Sequence, residues 1–117
     1  MELPPALREA VNRALDGVPA SDLARASAAL SQRYRSETRD GNWHVASDLS
    51  ARAYLAARLP ATFAAVRAVM DFIADIRPDF SPKTVLDGGA GPGTALWAAA
   101  DLWPEVASAT MIEGSAA

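Results

Sequence analysis

The chain has 117 residues, of which 50% are apolar, and a formal net charge of −3. This length allows about one domain, and the absence of cysteine excludes disulfides and thiolate metal sites. No apolar run approaches the ~18–20 residues that cross a bilayer, and the first residues do not resemble a signal peptide, so we predict a cytoplasmic protein without membrane contact or bound metal.

Two amphipathic helices are predicted at the start of the chain. Pro4 and Pro5 fit the first turn of a helix and Gly17 fits the position just after one, so these residues should bound the first helix. Ser21 is predicted to be the N-cap of the second helix, which should run to about Tyr34. Apolar residues that recur at helical spacing give the expected buried faces: Leu7, Val11, Ala14, Leu15 and Val18 in the first helix, and Leu23, Ala26, Leu30 and Tyr34 in the second.

A loop and two further helices follow. Residues 36–46 contain turn-forming residues without apolar periodicity, which predicts a loop. Ser47 is predicted to cap a third helix over about 48–58. The fourth helix should end before Pro78, and its apolar stripe is the most regular in the chain: Leu59, Phe63, Val66, Met70, Ile73 and Ile76. Residues 1–80 are therefore predicted to form an all-helical region.

The pattern changes after the helices. Lys83–Asp87 is a short β-branched and apolar run that leads into glycines, which predicts a buried parallel strand. A helix over about 94–102 and a second strand at Ala109–Glu113 complete a βαβ unit. We therefore predict an α/β fold, in which the helical N-terminal region, 1–80, precedes the first βαβ unit of an incomplete Rossmann-like domain, 81–117.

The residues with a chemical role are expected between the two strands. A glycine-rich turn joins the first strand to the helix, and its sequence is Asp87-Gly88-Gly89-Ala90-Gly91-Pro92-Gly93-Thr94. Glycines allow positive φ and a close approach of the main chain to a ligand, and amides at a helix start provide hydrogen-bond donors. An acid, Glu113, ends the second strand, where its carboxylate can accept hydrogen bonds from both hydroxyls of a ribose. Loop and acid together predict a nucleoside-type binding site.

The spacing within the loop distinguishes two classes of cofactor. A nicotinamide fingerprint that starts at Gly89 requires glycine or alanine at position 94, where this sequence has threonine. The pattern Asp87-x-Gly89-x-Gly91-x-Gly93 instead resembles the first motif of class I S-adenosylmethionine-dependent methyltransferases. The resemblance implies that S-adenosylmethionine lies over the three glycines, with Asp87 leading the loop and Glu113 holding the ribose diol.

A second resemblance covers most of the chain. Leu55–Val66 and Val85–Ala98 are similar to segments of the Rsm-type methyltransferase-like family of the small ribosomal subunit. This resemblance implies a protein that acts on the small ribosomal subunit or its ribosomal RNA. Members of the family also carry downstream cysteines that hold an iron–sulfur cluster; this chain has no cysteine, so the cluster is not carried over to it.

Two functions remain open at this point. The first is a methyltransferase that uses S-adenosylmethionine to modify small-subunit ribosomal RNA or the small subunit. The alternative is a ribosome assembly factor that keeps the methyltransferase fold without transferring a methyl group. Residues that hold the methyl acceptor in this fold follow a later strand, so no catalytic residue is predicted here.

A sheet of two strands leaves one face and its edges uncovered. We therefore expect the chain to be the N-terminal part of a longer protein, or else a small protein whose sheet is covered by a partner chain. Self-association through the uncovered sheet is a related expectation. On its own, the chain should bind the cofactor no more tightly than about millimolar.

Overall fold

A computed structural model describes residues 2–35 and 47–114. Across these residues the elements follow in this order: α1 (Pro5–Leu15), α2 (Ala20–Arg35), α3 (Asp48–Ala57), α4 (Leu59–Ile76), β1 (Thr84–Gly88), α5 (Thr94–Leu102) and β2 (Ser108–Ile112). This order confirms the predicted α/β class, in which helices precede a βαβ unit. The predicted loop at 36–46 and the side chain of Tyr34 lie outside the described residues.

The start of the second helix differs from the prediction. The amides of Asp22 and Leu23 both donate to the carbonyl of Pro19, each at 3.1 Å, and α2 begins at Ala20. Ser21 therefore lies inside the first turn, and its predicted role as an N-cap is wrong. The reason is Pro19, whose ring fixes φ near the helical value. With Ser21 as the N-cap the helix would begin at residue 22, whereas after Pro19 it begins two residues earlier, at Ala20.

The start of the third helix confirms the prediction. Ser47 has an extended backbone, and its side-chain oxygen accepts a hydrogen bond from the amide of Ser50 at 3.1 Å. This bond satisfies one of the N–H groups that lack a partner in the first turn of a helix. The helix ends where Arg58 donates its amide to the carbonyl of Tyr54 at 2.8 Å.

Replacing Ser47 by alanine should therefore lower the free energy of unfolding by about 1 kcal/mol, because an amide of the first turn loses its acceptor. The matched control is Ser21→Ala, which changes a serine inside a first turn and should alter stability by less than about 0.5 kcal/mol. Urea unfolding of both variants measures the difference. Equal losses in the two variants would contradict the assigned caps.

The described residues divide into two compact units, the first formed by residues 5–60 and the second by residues 61–114 together with residues 2–4. In the first unit α3 contacts both α1 and α2. The buried apolar side chains of this unit are Leu7, Val11, Leu30, Ala53 and Leu59. Three of them, Leu7, Val11 and Leu30, belong to the predicted faces of the first two helices. The predicted boundary between a helical region and a Rossmann-like domain, after residue 80, stays a prediction.

The apolar stripe of α4 is buried at its start and exposed at its end. Leu59 and Phe63 are each 1% exposed, whereas Ile73 is 39% and Ile76 is 61% exposed. Helical spacing therefore predicts correctly that these residues share a face, but burial along that face is not uniform. Among the described residues, no helix has both the length and the apolar character needed to span a membrane.

The two strands are parallel neighbours. Their register pairs Thr84 with Ser108 at one end and Gly88 with Ile112 at the other. Along β1 the residues alternate between exposed and half-buried, which is the pattern of a sheet covered on one face. The strand is therefore not buried throughout, and Leu86, which is 74% exposed, lies on the face that a two-stranded sheet is expected to leave uncovered. Within the described residues α5 contacts β1, and a single helix covers only one face of a sheet.

Candidate functional site

The glycine-rich loop is tied to the end of the neighbouring strand. The amides of Gly89 and Ala90 donate to the same acceptor, the carbonyl of Ile112, at 2.7 and 2.9 Å. This carbonyl belongs to the last residue of β2, and Gly88 at the end of β1 is its strand partner. The loop therefore starts at the carboxyl end of a parallel sheet, which is where α/β proteins bind ligands.

Three glycines of the loop have positive φ. The angle is +69° at Gly89, +56° at Gly91 and +83° at Gly93. Residues with a side chain lose about 1–2 kcal/mol in this region of backbone conformation. The alternating glycines of the sequence pattern are thus required by the backbone. Gly88, by contrast, is the last residue of β1 and does not need this freedom.

One side of the loop is open. A Cβ atom placed on Gly88 or Gly89 would meet no described heavy atom within 4 Å. A Cβ atom on Gly93 would lie 3.6 Å from the sulfur of Met111, an ordinary van der Waals distance. The main chain at the start of the loop can therefore be approached directly, which is the arrangement that a flat nucleoside requires.

Glu113 lies against the loop. Its Oε2 atom accepts a hydrogen bond from the amide of Gly91 at 2.5 Å. The sequence pattern correctly brings this acid and the glycines together, because the register of the strands places the residue after Ile112 beside the loop. The predicted contact of Glu113 with a ribose, and the roles of Asp87, Gly89, Gly91 and Gly93 toward a cofactor, stay predictions.

Two buried oxygen atoms flank the loop. Oδ2 of Asp87, before the glycines, and Oγ1 of Thr94, after them, are inaccessible to solvent and have no hydrogen-bond partner in the described structure. Thr94 is only 4% exposed. Buried polar atoms are usually satisfied, so two such atoms at one loop are consistent with a ligand or water that completes them.

Thr94 is a residue that sequence reasoning considered only as a mismatch to the nicotinamide fingerprint. It is the first residue of α5, and the preceding residue, Gly93, has no side chain to cap the helix. The first-turn amides of α5 therefore have no side-chain acceptor from the N-cap position, and the positive end of the helix dipole faces the loop. The sequence feature that could have pointed to Thr94 is its hydroxyl-bearing side chain directly after Gly93, the last glycine of the loop.

Contacts within residues 61–114 hold α5 in place behind the loop. Arg67 of α4 pairs with Asp71 on its own helix and with Asp101 of α5, the latter at 3.2 Å. The ring of Phe80 meets that of Trp103 edge to face, with the centroids 5.2 Å apart. The described residues contain no group of three or more His, Cys, Asp or Glu side chains placed to bind a metal ion.

Comparisons with known proteins identify relatives of this chain. The profile of a family described as "Mitochondrial small ribosomal subunit Rsm22" matches residues 48–117, a range that includes the whole loop and Glu113. The human "Ribosome assembly protein METTL17, mitochondrial" is 44% identical to the chain over 50 residues. That alignment covers 43% of this chain and 11% of the human protein, so only a small part of the relative is represented.

The predicted cytoplasmic localisation is wrong by these comparisons. Both the matched family and the human relative are described as mitochondrial. The prediction used the absence of cysteine and of long apolar segments. The absence of cysteine and of long apolar segments does not distinguish the cytosol from a mitochondrion.

Proposed function

Because this chain belongs to the Rsm22 family, which is described as a small-ribosomal-subunit family, we propose that it is part of a factor that assists assembly of the small ribosomal subunit. The observation that carries the proposal is the family match over residues 48–117. The name of the human relative, a ribosome assembly protein, supports it. In this proposal the methyltransferase-like fold serves recognition and does not transfer a methyl group.

We further propose that the loop binds S-adenosylmethionine. The positive φ of Gly89, Gly91 and Gly93 supports this, because bare main chain can then lie against the methionine and ribose portion. Glu113 would hold the ribose diol, and the buried carboxylate oxygen of Asp87, which has no partner in the described structure, would accept a hydrogen bond from the bound molecule or from a water. When bound, this cofactor supplies an activated methyl group.

A methyltransferase acting on small-subunit ribosomal RNA is the second candidate function. It is favoured by one observation, the placement of Glu113 directly against the loop at Gly91. Methyl transfer depends chiefly on positioning an activated methyl group near its acceptor. The described residues would contribute cofactor orientation to this reaction, and no catalytic residue is assigned among them.

Association with ribosomal subunits tests the assembly proposal. The chain should sediment with purified small subunits and remain in the supernatant with large subunits, because a small-subunit assembly factor has to discriminate between the two. The measurement is pelleting through a sucrose cushion at near-physiological salt, since salt-sensitive charge contacts dominate non-specific binding to RNA. Equal pelleting with both subunits, or with neither, would contradict the proposal.

A further inference from the structure

The amide groups of the glycine loop already have acceptors within the chain. Pro92 has no N–H group, and every other residue from Gly89 to Gly93, all of them in the described part of the chain, donates internally. The pairs are Gly89 and Ala90 to the Ile112 carbonyl, Gly91 to the Glu113 carboxylate, and Gly93 to the Ala90 carbonyl at 3.0 Å. An incoming ligand therefore meets a loop whose own donors are in use.

This arrangement bears on the chemical class of the ligand. Glycine loops that bind phosphates do so through free amides that point at the phosphate oxygens. Here the amide of Gly91 instead holds the carboxylate of Glu113, which places a negative charge where a phosphate would have to lie. A phosphate would need to displace this carboxylate and would be repelled by it.

We propose that Glu113 is a specificity-determining residue that closes the loop to phosphate-bearing nucleotides. The inference rests on the proposed nucleoside site and adds a new role for its acid. A phosphate-free nucleoside can contact the open main chain at Gly89 without competing for the Gly91 amide. A nucleoside diphosphate whose phosphate oxygens take the Gly91 amide has to break the bond between Gly91 and Glu113.

Removing the carboxylate should convert the loop into an anion site. In Glu113→Ala, the Gly91 amide loses its acceptor in the same loop that leads into the buried hydroxyl of Thr94 and the uncapped start of α5. These groups are donors in a positive field, so together they can hold a phosphate. Glu113→Gln removes the charge but keeps an oxygen that can accept from Gly91, and it should give a smaller effect.

The experiment titrates inorganic pyrophosphate into the 117-residue chain and its variants, with the amide signals of the loop followed by NMR. The unsubstituted chain should show no saturable shift, and Glu113→Ala should bind pyrophosphate at least about tenfold more tightly. The charge control is Glu105→Ala, since the Glu105 carboxylate accepts a hydrogen bond from Ser81 at 2.9 Å and does not contact the loop through that bond. This control should behave like the unsubstituted chain.

The outcomes separate the two proposals. Pyrophosphate binding by the unsubstituted chain as tight as by Glu113→Ala overturns the role of Glu113, as does a folded Glu113→Ala that gains no affinity. If that variant does not fold, the Glu113→Gln comparison decides instead, and it overturns the role of Glu113 if pyrophosphate affinity is unchanged. Adenosine is titrated in parallel: if it shifts no loop amide of any variant even at millimolar concentration, a nucleoside site formed by these 117 residues alone is refuted, while the pyrophosphate comparison still decides whether Glu113 excludes anions.

Discussion

Replacing Gly91 by valine should weaken nucleoside binding at least about tenfold while leaving association with the small ribosomal subunit unchanged. Gly91 has φ +56°, where a β-branched side chain is strained. Its Cβ atom would lie 3.9 Å from Oε2 of Glu113, so the two additional methyl groups would crowd the carboxylate or the open side of the loop. We expect adenosine affinity to fall at least about tenfold, which corresponds to about 1.4 kcal/mol.

The matched control for this prediction is Gly88→Val. Gly88 belongs to β1, has no positive φ, and offers open space to a Cβ atom. Valine is favoured in strands, so this variant should keep both activities. NMR titration with adenosine measures the first activity, since it detects millimolar binding, and pelleting with small subunits measures the second.

The same pair of variants distinguishes the two candidate functions. If Gly91→Val still pellets with small subunits but no longer binds adenosine, the assembly role does not depend on the cofactor. Loss of both activities in this variant alone would contradict that separation and would favour a cofactor-dependent role. Retention of adenosine binding would contradict the placement of the nucleoside over the loop.

Replacing Phe63 by alanine should be the most destabilising single substitution considered for this chain. Phe63 is 1% exposed and lies in the first turns of α4. Removing a buried phenylalanine ring costs the transfer free energy of the ring and leaves a cavity, together about 3–5 kcal/mol. Since small domains have total stabilities of only about 5–15 kcal/mol, this single substitution should remove a large fraction of the stability and lower the urea midpoint of unfolding accordingly.

Phe72→Ala is the control for Phe63→Ala, because both residues are phenylalanines of the same helix, α4. Phe72 is 67% exposed, so its removal should change the free energy of unfolding by no more than about 0.5 kcal/mol. Urea unfolding followed by circular dichroism measures both variants. Similar decreases in the free energy of unfolding of the two variants would contradict the difference in burial between Phe63 and Phe72.

Much of the fold is predictable from local patterns in the sequence. Helical spacing, the serine cap at Ser47 and the change of pattern before β1 each depend on residues close together in the chain. The prediction at Ser21 was wrong because two local signals compete there, and the restricted φ of Pro19 starts the helix first. The number of strands predicts that one sheet face is uncovered, but the apolar run of β1 does not indicate that Leu86 lies on that face, since burial depends on what else covers the sheet.

In the candidate site, too, local features could be predicted from the sequence, whereas contacts between distant residues could not. The alternating glycines could be predicted because positive φ is a local property of the backbone. The bond between Gly91 and Glu113 could not, since it depends on how β1 and β2 are aligned. The buried, unpartnered hydroxyl of Thr94 also depends on packing around α5, which residue spacing does not describe.

The shared acceptor at Ile112 has a mechanical consequence. Its carbonyl oxygen holds the amides of Gly89 and Ala90, and the very next residue along the chain is Glu113. Because of these two hydrogen bonds, a displacement of the loop should also displace the end of β2, and with it the carboxylate of Glu113. The loop and Glu113 are thus linked through the carbonyl of Ile112. A ligand that displaces either of them should displace the other by a comparable amount.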